Sequence, residues 1–302
     1  MPILRHRSSL DFNPANRQRR RPYLDGCVLW HSDMPQDFQR AKPGSDSAAD
    51  CAATRIHAAI SGSQGASPVS KPFTVIIQNY YEERQKYWPQ IFQAIHESSV
   101  QPEEVIIWDN MGASEEFDPS LDSFCVALRA SPIKYDPKNL TIMSSSRNTL
   151  LGRYAAALIA KTPYVFFQDN DLLVNPDTIK TLLDAITGEC QIVGPSGLTL
   201  LRKSATPYTH GLWATGGVCD VILGRCFACH RRALWPGIEL VFDGIDPGRA
   251  DDILFNLAAL EMPRVVPAAY TNLDEQGVGL SHEPEHFAER DAMARKLLDM
   301  GY

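Results

Sequence analysis

The chain has 302 residues, enough for one large domain or two small ones, with 29 Lys and Arg against 36 Asp and Glu for a formal net charge of −7. A hydrophobic fraction of 44% and a charged fraction of 22% are ordinary for a globular protein and exclude a collagen, a long coiled coil and a wholly disordered chain. The acidic balance argues against a general nucleic-acid binder, which needs a basic surface for phosphates, and no apolar run approaches the ~18 residues of a membrane span.

Residues 1–22 carry six Arg and one Asp, or +5, so the remainder sums to −12. Residues 41–70 are rich in Ala, Ser, Gly and Pro without an apolar period. The reading of 1–70 is an irregular extension, a solvated tail rather than a transit peptide, with Leu24, Val28 and Trp30 able to pack on the main domain. The seven cysteines do not make a disulfide framework in a chain of this length. Cys226 and Cys229 form one CxxC without a second ligand pair, so buried free thiols are expected. Free thiols and the lack of a secretory signal favour the cytoplasm. A lumenal enzyme of the Golgi type stays open.

From Lys71 onward strands alternate with helices. Phe73–Gln78 is a continuous apolar run, as in a strand buried on both faces. Trp88, Ile91, Phe92 and Ile95 mark one face of a helix with Pro89 in its first turn. Val105–Trp108 is a second buried strand. Leu151, Tyr154, Ala155 and Leu158 repeat the helical stripe, and Tyr164–Gln168 is a third strand. Asn175-Pro176-Asp177 starts a helix with Ile179, Leu182, Leu183 and Ile186 on its inner face, and Ile253–Leu260 is a later helix. This alternation predicts an α/β fold with a mainly parallel central sheet flanked by helices, and in such sheets ligands bind beyond the carboxyl ends of the strands.

The three strand ends carry polar residues: Asn79-Tyr80-Tyr81-Glu82, Asp109-Asn110-Met111-Gly112 and Asp169-Asn170-Asp171. In the last, two carboxylates at i and i+2 can share one hard divalent cation and leave positions for phosphate oxygens. Asp109 suits ribose hydroxyls or a base N–H. Asp251 and Asp252 form an acidic pair at a helix start, and Trp213 lies in an aperiodic stretch with Tyr208, His210, Gly216 and Gly217.

These segments, in this order and spacing from Phe73 to His282, resemble GT-A-fold glycosyltransferases of the family 2 type. Val75–Glu82 resembles their first strand and turn, Val105–Asp109 with Gly112 their second strand, Gly152-Arg153 and Tyr164–Asp171 the segment leading into the DxD motif, and Gly224–Leu234 with Asp251–Phe255 the acceptor side. The chain departs from the pattern where Gln78 stands in place of a common Pro and Asp251 in place of the usual Glu. It also lacks the basic-aromatic motif of processive polymerases.

The resemblance implies a single GT-A-type, Rossmann-like domain over 71–302, with a nucleotide-sugar half at 71–175 and an acceptor half at 176–302. It implies transfer of a sugar from a nucleotide-diphosphate sugar to a hydroxyl acceptor, a glycan or another alcohol, with inversion. Asn79, Tyr80, Glu82, Asp109, Gly112, Arg153 and Asp169 are expected to bind the nucleotide sugar. Asp169, Asp171 and His282 are expected to hold Mn²⁺ or Mg²⁺, with an imidazole tilting the choice to manganese. Asp252 is expected to be the general base, Asp251 to orient the acceptor and Trp213 to stack on it. The rivals are a haloacid-dehalogenase-type phosphatase, which has its DxD at the first strand of the domain, a nucleotidyltransferase, which needs a Gly-rich loop missing from Asn79–Arg84, and a catalytically degenerate carbohydrate-binding protein on the same fold.

Overall fold

The computed structural model describes residues 71–79, 82–110, 139–145, 148–273, 283 and 285–302. The proposed extension 1–70 lies outside them. The strands up to residue 175 are β1 (Phe73–Asn79), β2 (Glu104–Asp109), β3 (Leu140–Ser144), β4 (Tyr164–Asp169) and β5 (Leu172–Val174). Between them run a short 3-10 helix (Glu82–Tyr87) that leads into α1 (Trp88–His96), and then α2 (Gly152–Ile159). The remainder comprises α3 (Thr178–Ala185), β6 (Ile192–Gly194), β7 (Gly197–Thr199), β8 (Leu212–Ala214), β9 (Gly217–Val218), β10 (Val221–Ile222), β11 (Cys226–His230), α4 (Trp235–Phe242), α5 (Asp251–Ala258), β12 (Arg264–Val265), β13 (Tyr270–Asn272) and α6 (His286–Asp299).

One eight-stranded sheet has the order β3-β2-β1-β4-β11-β6-β12-β9 and takes strands from both sides of residue 175. The four strands from β3 to β4 are parallel, β11 lies antiparallel between β4 and β6, and β12 is again parallel to β6. The chain is therefore an α/β protein as expected from its sequence, with a mainly parallel central sheet and helices on both faces. Buried parallel strands must be apolar on both sides, and β1 obeys this: Ile76 packs into one core with Tyr154, Phe167 and Phe255, while Val75 and Ile77 pack into the other with Trp88, Phe92 and Leu182.

Helix α1 buries the four residues its period predicts, Trp88, Ile91, Phe92 and Ile95. Helix α2 differs. Its stripe predicts an inner face of Leu151, Tyr154, Ala155 and Leu158, but the buried residues are Gly152, Arg153, Tyr154, Ala156 and Ala157, and Leu158 is exposed. The rotation follows from Arg153, a residue rarely buried unless paired, which turns inward to meet carboxylates.

Cys219, Cys226 and Cys229 are buried free thiols, as expected. Cys226 and Cys229 sit at i and i+3 on strand β11, so they face opposite cores and cannot share one metal. Burial raises all three thiols above their ordinary range, which keeps them protonated and unreactive. Among the described residues no helix is long and apolar enough to cross a membrane.

Candidate active site

In-register pairing of parallel strands brings their ends together. Asn79 lies opposite Asp109, and Gln78 lies opposite Asp169. Asn79 Nδ2 donates to Asp109 Oδ1 at 2.9 Å, and Asn170 Nδ2 donates to Asn79 Oδ1 at 3.1 Å. These three side chains, almost fully buried, form a polar ridge across the carboxyl ends of β2, β1 and β4. Such a ridge is stable because each buried polar group has a partner.

Two guanidinium groups flank the acidic triplet. Arg84, from the 3-10 helix after β1, places Nη2 at 2.7 Å from Asp171 Oδ2 and Nη1 at 3.4 Å from Asn170 Oδ1. Arg153, from the first turn of α2, places Nη1 at 3.1 Å from Asp169 Oδ1 and at 2.7 Å from the Gly224 carbonyl, while its Nε donates to Gln78 Oε1 at 3.0 Å. The same Nε stands 3.9 Å from Asp251 Oδ2. Gln78 is thus a ligand of the arginine, which gives the departure from Pro at this position a structural purpose. Burial alone would make Arg153 easier to deprotonate, but the charges of Asp169 and Asp251 outweigh it and hold the group cationic. Burial pushes the Asp169 carboxyl up to about 7, against the pull of Arg153 and with the repulsion of Asp171.

The acidic pair opens helix α5, where carboxylates suit the positive end of the dipole. The two do different things. Asp251 Oδ2 accepts from the Tyr154 hydroxyl at 3.1 Å, and burial raises its carboxyl above the usual range, with the charge of Asp252 adding to the rise and Arg153 opposing it. Asp252 Oδ2 accepts from Gly224 N at 3.1 Å and from Arg290 Nη2 at 2.7 Å, and its Oδ1 accepts from Ile253 N at 2.8 Å. A carboxylate offers about four acceptor positions, and contacts among the described residues use three of them, which leaves one on Oδ1.

Gly224 lies between the two centres. A Cβ added to it would stand 3.6 Å from Arg153 Nη1 and 3.7 Å from Asp252 Oδ2. Trp213 lies on β8, at the edge of a three-stranded sheet, with 69% of its surface exposed. Of the remaining expected site residues, Tyr80, Gly112 and His282 lie outside the described residues. Glu82 is described only by its backbone, at the start of the 3-10 helix.

The sequence reading missed Arg84, Tyr154, Asn170 and Arg290. Nothing local marks Arg84 or Arg290. Asn170 was legible as the middle of the DND triplet, and Gln78 as the residue that breaks the family pattern.

Among the described residues no three His, Cys, Asp or Glu side chains gather as a metal site. The donors that are present, Asp169 and Asp171, are hard oxygens on one turn and already faced by arginines. That set fits a divalent cation arriving with a diphosphate that completes its coordination, and does not fit a cation held by these residues alone.

No family model and no curated protein matches the chain. Similar solved structures include TarS residues 1–349 of S. aureus in complex with UDP-GlcNAc, at 18% identity and a TM-score of 0.46, over 75% of this chain and 66% of that one. Another is the mannosyltransferase PcManGT of Pyrobaculum calidifontis in complex with GDP-Man and Mn²⁺, at 16% identity and a TM-score of 0.44, over 68% of this chain and 59% of that one. The chain thus spans about two thirds of the length of the first and less of the second.

Proposed function

We propose that the chain is a hexosyl-type glycosyltransferase that moves a sugar from a nucleoside-diphosphate sugar to a hydroxyl acceptor with inversion at the anomeric carbon. The observation that carries this reading is the position of Arg153, which touches Asp169 at 3.1 Å on the strand-end side and stands 3.9 Å from Asp251 on the other, so that one buried cation links a phosphate-type corner to an acidic pair.

In this reading Asp109 and Asn79 receive the nucleoside, and Tyr80, Glu82 and Gly112 are proposed to bind the nucleotide sugar as well. Arg153 and Arg84 face the diphosphate. Asp169 and Asp171, with His282 as a third ligand, would hold Mn²⁺ or Mg²⁺, whose charge stabilises the leaving diphosphate. Trp213 stacks on the acceptor. Asp252 takes the proton of the acceptor hydroxyl at its remaining Oδ1 position. The hydroxyl oxygen forms the new bond to the anomeric carbon on one face. On the other face the bond to the diphosphate oxygen breaks, its electron pair leaving with the nucleoside diphosphate. Asp251 and Tyr154 orient the acceptor side.

Thermal unfolding with UDP-GlcNAc, UDP and GDP-mannose, with and without Mn²⁺, tests the reading. A ligand at about a hundred times its Kd stabilises by about 2.7 kcal/mol, a rise of several degrees for a domain of this size. A uridine or guanosine diphosphate compound is expected to raise Tm only with Mn²⁺, Mn²⁺ alone to do little, and Asp171→Ala to abolish the rise. Asp252→Asn is expected to keep the rise and lose transfer. No shift with any nucleotide sinks the transferase reading. Binding without turnover makes the chain a nucleotide-sugar-binding protein, and phosphate release from p-nitrophenyl phosphate points to the dehalogenase alternative.

A further inference from the structure

Helix α6 carries two adjacent charged residues, Arg290 and Asp291, that are only 5% and 6% exposed. Residues of these types are rarely buried unless paired, and each of these is paired outside its own helix. Arg290 Nη2 bonds Asp252 Oδ2 at 2.7 Å, its Nη1 donates to the Arg249 carbonyl at 3.1 Å, and its guanidinium carbon lies 4.3 Å from the centre of the Tyr208 ring. Asp291 accepts from the backbone N–H groups of Tyr208 at 2.7 Å and Thr209 at 3.0 Å, and from the Thr209 hydroxyl. Gly211 N donates to the Tyr208 carbonyl at 3.0 Å, which joins this loop to the strand that carries Trp213. One dipeptide therefore ties the acidic start of α5 to the loop leading into β8.

We propose that Arg290 is a positioning residue of the acceptor side: its Nη2 aims the Asp252 carboxylate, and its guanidinium, lying over the Tyr208 ring, seats the Tyr208 loop on that side. The proposal rests on the glycosyltransferase reading above. Two fixed contacts on Oδ2 and one on Oδ1 hold the carboxylate plane, so the remaining Oδ1 position faces one direction. The edge and the face of a guanidinium act independently. A lysine can replace the charge toward Asp252 but cannot at the same time place a guanidinium over the Tyr208 ring. A group that only glued α6 to the core would not separate these effects.

The test uses the full chain and the variants Arg290→Gln, Arg290→Lys and Tyr208→Leu. Nucleotide release from UDP-GlcNAc and GDP-mannose with Mn²⁺ is followed in water and with methyl β-D-glucopyranoside as the acceptor probe, and UDP–Mn²⁺ affinity is measured by calorimetry. Arg290→Gln is expected to lower kcat about a hundredfold, the scale of a misplaced catalytic group, and to raise the acceptor KM, with UDP affinity within about twofold of the parent. Arg290→Lys regains most of kcat and keeps the raised KM, and Tyr208→Leu keeps kcat and raises KM alone. Parental kinetics in Arg290→Gln overturn the proposal. So do losses of kcat, KM and UDP affinity that move together with Tm in all three variants, which is the pattern of a merely structural residue. If Arg290→Gln does not fold, the kcat-against-KM split between Arg290→Lys and Tyr208→Leu still decides. A parent chain that binds UDP–Mn²⁺ in no measurable amount and releases no nucleotide overturns the transferase reading and this one with it, whereas a working parent with unaffected variants overturns this one alone.

Discussion

The hydroxyl of Tyr154 donates to Oδ2 of Asp251 across 3.1 Å, and the Tyr154 ring stacks at a centroid distance of 3.6 Å on Phe255, one turn along the helix that Asp251 begins. Burial, with the charge of Asp251, raises the phenol well above its ordinary range, so it remains the donor of this pair. Tyr154→Phe keeps the stack and removes the donor. It is expected to cost about 1–3 kcal/mol by leaving a buried acceptor unsatisfied, and to lower transfer several-fold while nucleotide binding persists. Tyr154→Ala empties the stack as well and should cost about 3–5 kcal/mol. Urea denaturation of the two variants measures the difference.

Arg153 is the cation that Asp169 and Asp251 have in common. Arg153→Met removes it and leaves the buried Asp251 and the partly exposed Asp169 without this cation, and breaking the buried side of such a pair costs up to about 3–5 kcal/mol. Arg153→Lys is not a rescue, because an ammonium cannot serve Gln78, Gly224 and Asp169 at once as the planar fork does. The expected result is a lowered denaturation midpoint and lost UDP–Mn²⁺ binding in both, with Lys the milder in stability only.

Gly152 opens α2 directly against Trp108. A Cβ there would lie 2.0 Å from the indole Nε1, which itself donates to Asn110 Oδ1 at 3.1 Å. Gly152→Ala would have to displace a buried tryptophan at the end of β2, and overpacking of this kind costs about 1–3 kcal/mol or more. The loss should appear as a drop in Tm together with a changed Trp fluorescence maximum. An unchanged Tm would mean the helix start can shift at no cost.

His286, at the start of α6, is lowered to about 4, first by burial and then by the charges of Arg290 and Arg249. An imidazole that stays neutral in the fold while the unfolded chain binds a proton supports stability above pH 6.5 and loses that support as pH falls from 6.5 toward 4. For a half-buried ring the full shift is discounted for solvent screening to on the order of 1 kcal/mol. Denaturation midpoints at pH 7.5, 5.5 and 4.5 should fall less steeply in His286→Gln than in the parent. Equal slopes would remove His286 from the acid sensitivity of the chain.

The amino-acid sequence by itself determined three of the strands, β1, β2 and β4, and the first helix. Short continuous apolar runs rich in β-branched and aromatic residues at Phe73, Val105 and Tyr164 read as strands buried on both faces, and Trp88, Ile91, Phe92 and Ile95 recur at a helical period, both of which are local properties of a few neighbouring residues. It also brought the eye to Asp109, Asp169, Asp251 and Asp252, because strand ends and helix starts are read from the same local pattern.

Only the tertiary structure decided what those carboxylates touch. Tyr154 meets Asp251 across 97 positions of sequence, Arg153 meets Gln78 across 75, and Arg290 meets Asp252 across 38. A lone arginine on a polar helix such as α6 reads as solvated, and the stripe of α2 reads as Leu, Tyr and Ala without Arg153. Each turned inward because burying a cation against a carboxylate depends on where the sheet brings the two chain segments together, and that distance has no expression in the spacing of residues along the chain.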